Sequence, residues 1–131
     1  MKNAAPWSDP RAHLMRQTPD AALLYFSPDQ LQATAQAFQA GFPGLVTYAV
    51  KANPGAEVLA NLVAAGITAF DVASPEEMRA VRSVCPAAVL HYNNPVRSVP
   101  EIEVAAHMGV RSYSIDDMRE LDKLTGRIAP D

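Results

Sequence analysis

The chain has 131 residues, of which 49% are hydrophobic and 19% charged, and its net charge at pH 7 is −3. That balance fits one ordinary domain with its own core and excludes a disordered chain, and without a basic run or an interleaved basic and aromatic stripe it argues against a nucleic-acid partner. No apolar run approaches the roughly 20 residues of a membrane span, Met1 to Arg16 lacks the apolar core of a secretory signal, and the single cysteine, Cys85, allows neither a disulfide framework nor a cysteine-based zinc site; a cytoplasmic setting is expected.

Residues 1–20 carry Pro6, Pro10 and Pro19 with little periodicity and are expected to be irregular, leaving residues 21–131 as the folded domain. Ala22–Phe26 reads as a short apolar strand. Ser27 and Pro28 then open a helix, as N-cap and first helical residue. Leu31, Ala35 and Phe38 share one of its faces, and Gly41 marks its stop. From Leu45 a rhythm sets in. Strand candidates begin near residues 45, 68, 88 and 111, each followed by a helix candidate. Ser74-Pro75-Glu76-Glu77 announces one helix, with Met78 and Val81 as its apolar stripe. Ser98-Val99-Pro100-Glu101 announces the next, with Ile102, Ala105 and Ala106 inward. Another begins at Asp116, with Met118, Leu121 and Leu124, and Arg127–Ala129 can open a fifth strand. Strands alternating with helices at this spacing predict a parallel α/β sheet.

The strand faces differ in character. Thr47, Ala49, Lys51 and Asn53 alternate with Val46, Tyr48 and Val50. Ala69, Asp71 and Ala73 alternate with Phe70 and Val72, and Ser112, Ser114 and Asp116 with Tyr113 and Ile115. An open parallel sheet covered on both sides reads as apolar throughout. One small or polar face suits a barrel with a site in its lumen. Lys51, Asn53, Asp71, Ser74, Asn93, Asn94 and Asp116 gather at the carboxyl ends of the strands, where α/β barrels build active sites.

Lys51, in Thr47-Tyr48-Ala49-Val50-Lys51-Ala52-Asn53-Pro54, is the sharpest feature. A lysine on so apolar a strand serves either as a Schiff-base amine toward a carbonyl or as the partner of Asp71 in a structural ion pair. Ala49 leaves room on its face for a flat ligand. Asp71 can orient Lys51, bind a ligand or only neutralise charge, and Glu77 can be simply a capping side chain. Arg97, after Asn94-Pro95, has a solvated turn as its plain reading. His13, His91 and His107 show no metal-ligand spacing, so no metal is expected, although His91 lies within a strand and could face the lumen. The six glycines stand singly, without a phosphate loop, and no Gly-x-Ser-x-Gly elbow is present.

"YAVKANP" at 48–54 resembles the lysine motif of the group IV pyridoxal-phosphate decarboxylases, the ornithine, arginine and diaminopimelate enzymes on the alanine-racemase-like (β/α)8 barrel. "FDVASPEEM" at 70–78, "HYNNPVRS" at 91–98, "YSIDDMREL" at 113–121 and "RIAPD" at 127–131 resemble the family's next four strand segments, in order and spacing. The serine of "FDVAS" followed by Glu77, and Asn94-Pro95 with Arg97, are similar to the ornithine branch. The Gly-Gly-Glu and Gly-rich third segment of diaminopimelate enzymes do not appear. The resemblance implies a lyase that decarboxylates an amino acid, most closely ornithine to putrescine in polyamine biosynthesis, with pyridoxal 5'-phosphate as cofactor and a homodimer as the working form. It implies that Lys51 holds the cofactor, that Ala49, Asp71 and Arg127 line the pocket around it, and that Glu77 supports its wall. The strand Leu23–Phe26 would join a C-terminal β domain. The chain spans an N-terminal strand and helix and about four βα units, roughly half of a barrel that needs about 250 residues. Alone, it is expected to be inactive, to bind cofactor weakly or not at all, and to associate through its open edges. Two other functions stay open. One is a non-catalytic homologue that binds a partner. The other is a different enzyme of this barrel: a lysine or diaminopimelate decarboxylase, a racemase or a cofactor carrier.

Overall fold

The computed structural model describes residues 7–128. Its elements run α1 (Pro10–Gln17), α2 (Pro28–Gly41), β1 (Thr47–Ala49), α3 (Ala56–Ala64), β2 (Ala69–Val72), α4 (Pro75–Val84), β3 (Val89–Tyr92), α5 (Val99–His107), β4 (Ser112–Tyr113) and α6 (Met118–Leu124).

Three helices start on the serine and proline signals of the sequence. The side chains of Ser27, Ser74 and Ser98 accept hydrogen bonds from the backbone N–H groups of Gln30, Glu77 and Glu101, and a proline follows each within two residues. Each serine satisfies an N–H that the first helical turn leaves unpaired. At α5 the box is complete, because Glu101 Oε2 accepts from the Ser98 N–H at 2.7 Å and from its hydroxyl at 2.8 Å. The Ser98 N–H, then the hydroxyl, hold the Glu101 carboxyl below the ordinary carboxylate range. A carboxyl lowered by folding stabilises fully above its unfolded value and loses that contribution as pH falls through its folded value. Glu101→Ala is therefore expected to cost about 0.5–1 kcal/mol at neutral pH, the usual scale of a cap. The cost should shrink below about pH 4.3, the ordinary Glu value. Urea unfolding of both proteins at several pH values checks this, and a cost that persists unchanged into acid would refute it.

Two helices leave toward the sheet through glycine. Gly66 and Gly109 have φ of 95° and 75°, and after each the chain turns back, with Ile67 N–H donating to Leu62 O and Val110 N–H to Ala105 O, both at 3.0 Å. A side chain is strained in this left-handed conformation. The β-branched residue that follows each glycine is buried and starts the descent into the next strand.

The strands pair in parallel in the order β1-β2-β3-β4. Tyr48, Phe70 and Leu90 are in register, as are Val72, Tyr92 and Tyr113. These residues turn toward the helices, where Leu59, Leu62, Met78, Val81 and Ala105 join them in one core. Arg82 ties this layer together, since its guanidinium donates to the carbonyls of Pro86, Ala88 and Met108. Across the sheet, Ala49, Asp71, His91 and Ser112 form a second row in register on the opposite face. That face is the small and polar one expected from the sequence.

Several elements differ from their sequence reading. Residues expected to be irregular form α1, because Asp9 accepts from Ala12 N–H at 2.8 Å and Pro10 occupies the first turn. Ala22–Phe26, expected as a strand, pairs with no strand among the described residues, and Leu24 is 98% exposed. A strand needs a neighbour for its backbone groups, and β1 is paired only with β2. Phe38, Met118 and Leu121 are exposed, while Leu124 and Glu120 are the buried residues of α6. Ile128 makes a single bridge with Thr125, and Ala129–Asp131 lie outside the described residues.

Candidate functional site

Strand β1 ends at Ala49, before the lysine. Val50–Ala52 forms a 3-10 turn, with the Asn53 N–H donating to Val50 O at 3.1 Å. Lys51 therefore stands on the turn at the carboxyl end of β1 and not along the strand, and its side chain is exposed among the described residues. The reason is local: Val50 is buried completely and pins the turn beneath the lysine. The Tyr48 hydroxyl donates to Asn53 O at 3.4 Å, and the Asn53 side chain accepts from the Gly55 N–H at 3.0 Å. A Cβ at Gly55 would stand only 3.0 Å from Asn53 Oδ1, so this tight return favours glycine. Burial raises the Tyr48 hydroxyl above its ordinary pKa, which keeps it a hydrogen-bond donor at neutral pH.

Beside the turn is a depression of about 80 Å³ lined by Ala49, Lys51, Asp71, Val72, Ala73 and Asn93. Three predicted site residues, Lys51, Ala49 and Asp71, meet there. No ion pair joins Lys51 to Asp71 among the described residues. Asp71 Oδ2 instead accepts from the Thr47 hydroxyl at 3.1 Å, across the sheet from β1. The ion-pair reading of the lysine is thus not realised among the described residues.

Glu77 shapes the wall from behind. Its Oε2 accepts from the Ala73 N–H at 2.7 Å, while its own N–H donates to the Ser74 hydroxyl at 3.3 Å. It caps α4 one residue further back than an ordinary capping box and fixes the backbone of Ala73, a lining residue. The Asn94 amide donates to Ala73 O at 3.3 Å and binds the end of β3 to the same segment. Arg127 is not among the lining residues; it follows α6, and its guanidinium donates to Lys123 O at 2.8 Å.

Arg97, whose plain reading was a solvated turn, is 3% exposed. Its guanidinium donates to the carbonyls of Tyr92, Pro95 and Ser114 and lies 3.8 Å from Glu120 Oε2. It also stands over the rings of Tyr92 and Tyr113, at 5.2 and 5.5 Å from their centroids. Burial, more than any neighbouring charge, pushes the Tyr92 hydroxyl up to about 12. The arginine fastens the ends of β3 and β4 to α6. No local signal announces it, because Glu120 comes from α6, with α5 and β4 between them in the chain.

A primary amine without an ion pair, beside a carboxylate and between two alanines, suits the aldehyde end of a flat ring such as pyridoxal phosphate.

Comparison with known proteins gives the family. Residues 28–131 match the family model described as the pyridoxal binding domain of pyridoxal-dependent decarboxylases. A lysine/ornithine decarboxylase from Selenomonas ruminantium is 39% identical over 80 residues, which are 60% of this chain and 20% of that protein. The ornithine decarboxylase of Mus musculus is 38% identical over 78 residues, 59% of this chain and 17% of that one. Among solved structures, the lysine/ornithine decarboxylase from Vibrio vulnificus complexed with putrescine superposes with a TM-score of 0.74 at 27% identity, covering 86% of this chain and 31% of that chain. The chain thus spans about a fifth of the curated relatives' length. With four parallel strands in barrel order and the lysine turn at their carboxyl ends, the chain belongs to the pyridoxal-dependent decarboxylase family, and its βα units are part of an alanine-racemase-like (β/α)8 barrel whose cofactor is pyridoxal phosphate.

Proposed function

We propose that this chain contributes the cofactor-holding lysine to a decarboxylase of basic amino acids, with ornithine as substrate and putrescine as product. The observation that carries the reading is Lys51 itself, a lysine without an ion pair beside Asp71 at the carboxyl ends of β1 and β2. The substrate rests on the ornithine-like motifs and on relatives named for ornithine and lysine. A relative named as a diaminopimelate decarboxylase is 30% identical.

When bound, the cofactor supplies the electron sink that takes up the pair left as carbon dioxide departs. The chain's residues do the positioning. Lys51 would hold the cofactor through its amine. Asp71, fixed by Thr47, places negative charge beside the lysine. Ala49 and Ala73 leave room for the ring, and Glu77 keeps the Ala73 backbone in place. A role for Arg127 beside the cofactor requires its guanidinium to leave the Lys123 carbonyl. The working form is a homodimer in a cytoplasmic setting. Among the described residues no helix is long and apolar enough to cross a membrane.

The test exploits composition: Lys2, Lys51 and Lys123 are the only lysines. Borohydride traps even weakly held aldehyde, so absorbance titration with excess pyridoxal phosphate, then reduction and peptide mapping, should find whatever cofactor the chain takes up on Lys51. Lys123 is occupied by Glu120 and the Arg97 carbonyl and should stay unlabelled. Equal labelling of all three would remove the cofactor role from Lys51 and favour a binding function.

A further inference from the structure

We propose that His91 is a further ligand-contacting residue of this site, its Nε2 meeting a polar atom of the molecule held at Lys51; this rests on the reading of Lys51 as the cofactor lysine. The first observation is register. Asp71 pairs with Ala49 on one side and with His91 on the other, and His91 pairs with Ser112. Paired positions of a parallel sheet point their side chains to the same face. Phe70, Leu90 and Tyr92 alternate with this row and fill the core behind the sheet. His91 is therefore beside the lining residue Asp71 on the face that carries the pocket, and two residues before the lining residue Asn93, without lining the depression itself.

The second observation is an unmet demand. His91 Nε2 is buried and has no hydrogen-bond partner. Buried polar atoms are nearly always satisfied, and an exception calls for a reason such as a ligand. The third is that no bond joins His91 to its neighbour: Asp71 Oδ2 takes its hydrogen bond from Thr47. The imidazole is thus not there to orient the carboxylate. A neutral imidazole nitrogen can donate or accept, according to tautomer, and so suits a hydroxyl, ring nitrogen or carboxylate oxygen of a bound molecule.

A ligand contact and a space-filling histidine predict opposite signs. His91→Leu keeps apolar bulk and removes the unsatisfied nitrogen. The free chain should then melt at the same temperature or higher, while the pyridoxal phosphate concentration needed for half-maximal borohydride trapping at Lys51 should rise roughly fivefold to tenfold, the worth of one net hydrogen bond. His91→Gln, whose amide can stand near the Nε2 position, should recover the unaltered affinity to within about twofold. Unchanged trapping in His91→Leu, with Lys51 labelled normally in the unaltered chain, overturns the His91 proposal alone. A melting temperature lowered by more than about 5 °C identifies the imidazole as packing and also overturns it. Failure of the unaltered chain to label Lys51 above the other lysines removes the cofactor reading and this proposal with it.

Discussion

Lys51→Arg should abolish reducible attachment of pyridoxal phosphate at residue 51 and leave the unfolding transition of the free chain where it was. The two halves of this expectation have separate causes. Lys51 is exposed on the turn Val50–Ala52 and makes no ion pair among the described residues, so folding draws little from its head group. Arginine preserves the charge and fits the same open surface. Chemically the change is severe. Attack on an aldehyde needs a free electron pair on nitrogen, and a guanidinium with a pKa of at least about 12 is unprotonated in no more than roughly one molecule in 10⁵ at pH 7. Mass spectrometry after borohydride reduction reads the attachment, and urea unfolding reads the stability. Retained labelling in the variant would move the cofactor to another group. Lost labelling with a large loss of stability would make Lys51 a structural residue.

The contrast between Lys51 and its neighbours shows what the sequence could carry. Residue alternation in Thr47–Val50 and Ala69–Ala73 tells which side chains share a face, because strand geometry has a period of two. The register of Ala49 with Asp71 was not legible in that alternation and is a finding of the structure, where β2 runs one residue past the partner of Ala49. The serine and proline signals at Ser27, Ser74 and Ser98 locate three helix starts, since they act within one turn of chain. Features that depend on distant partners were harder to read. Nothing near Val50 announces that the strand breaks into a 3-10 turn, because the cause is burial of Val50 in a core built from α3, β2 and α4. Leu23–Phe26 has the apolar character of a strand, but character does not supply a pairing neighbour. The same limit applies to Arg97. A Pro-x-Arg step after a strand reads locally as a solvated turn, and only the approach of Tyr113, Ser114 and Glu120 from later segments encloses it.

That enclosure makes Arg97 a position where substitution should damage the fold severely. Arg97→Met is expected to cost about 3 kcal/mol, which for a chain of this size lowers the melting temperature by roughly 10 °C. The loss has little to do with the ion pair's attraction, since a buried pair roughly repays its own desolvation. It comes from what is left behind. Glu120, 7% exposed, would keep its charge with one partner fewer, and the carbonyls of Tyr92 and Ser114 would lose a charged donor. Lys123 still reaches Glu120 Oε1, which places the cost at the lower end of the 3–5 kcal/mol usual for breaking a buried pair. A second substitution separates the causes. Adding Glu120→Leu to Arg97→Met removes the stranded carboxylate, and stability should return by about half or more of what was lost, because an apolar pair can replace a buried ionic one. Urea midpoints of the unaltered chain, the single variant and the double variant decide it. A single variant within about 1 kcal/mol of the unaltered chain would mean that water reaches Glu120 freely. A double variant that falls further would shift the weight to the arginine's contacts with the two tyrosine rings, worth about 0.5–2 kcal/mol each when desolvated. The arginine would then hold β3, β4 and α6 together by stacking and carbonyl bonds more than by charge.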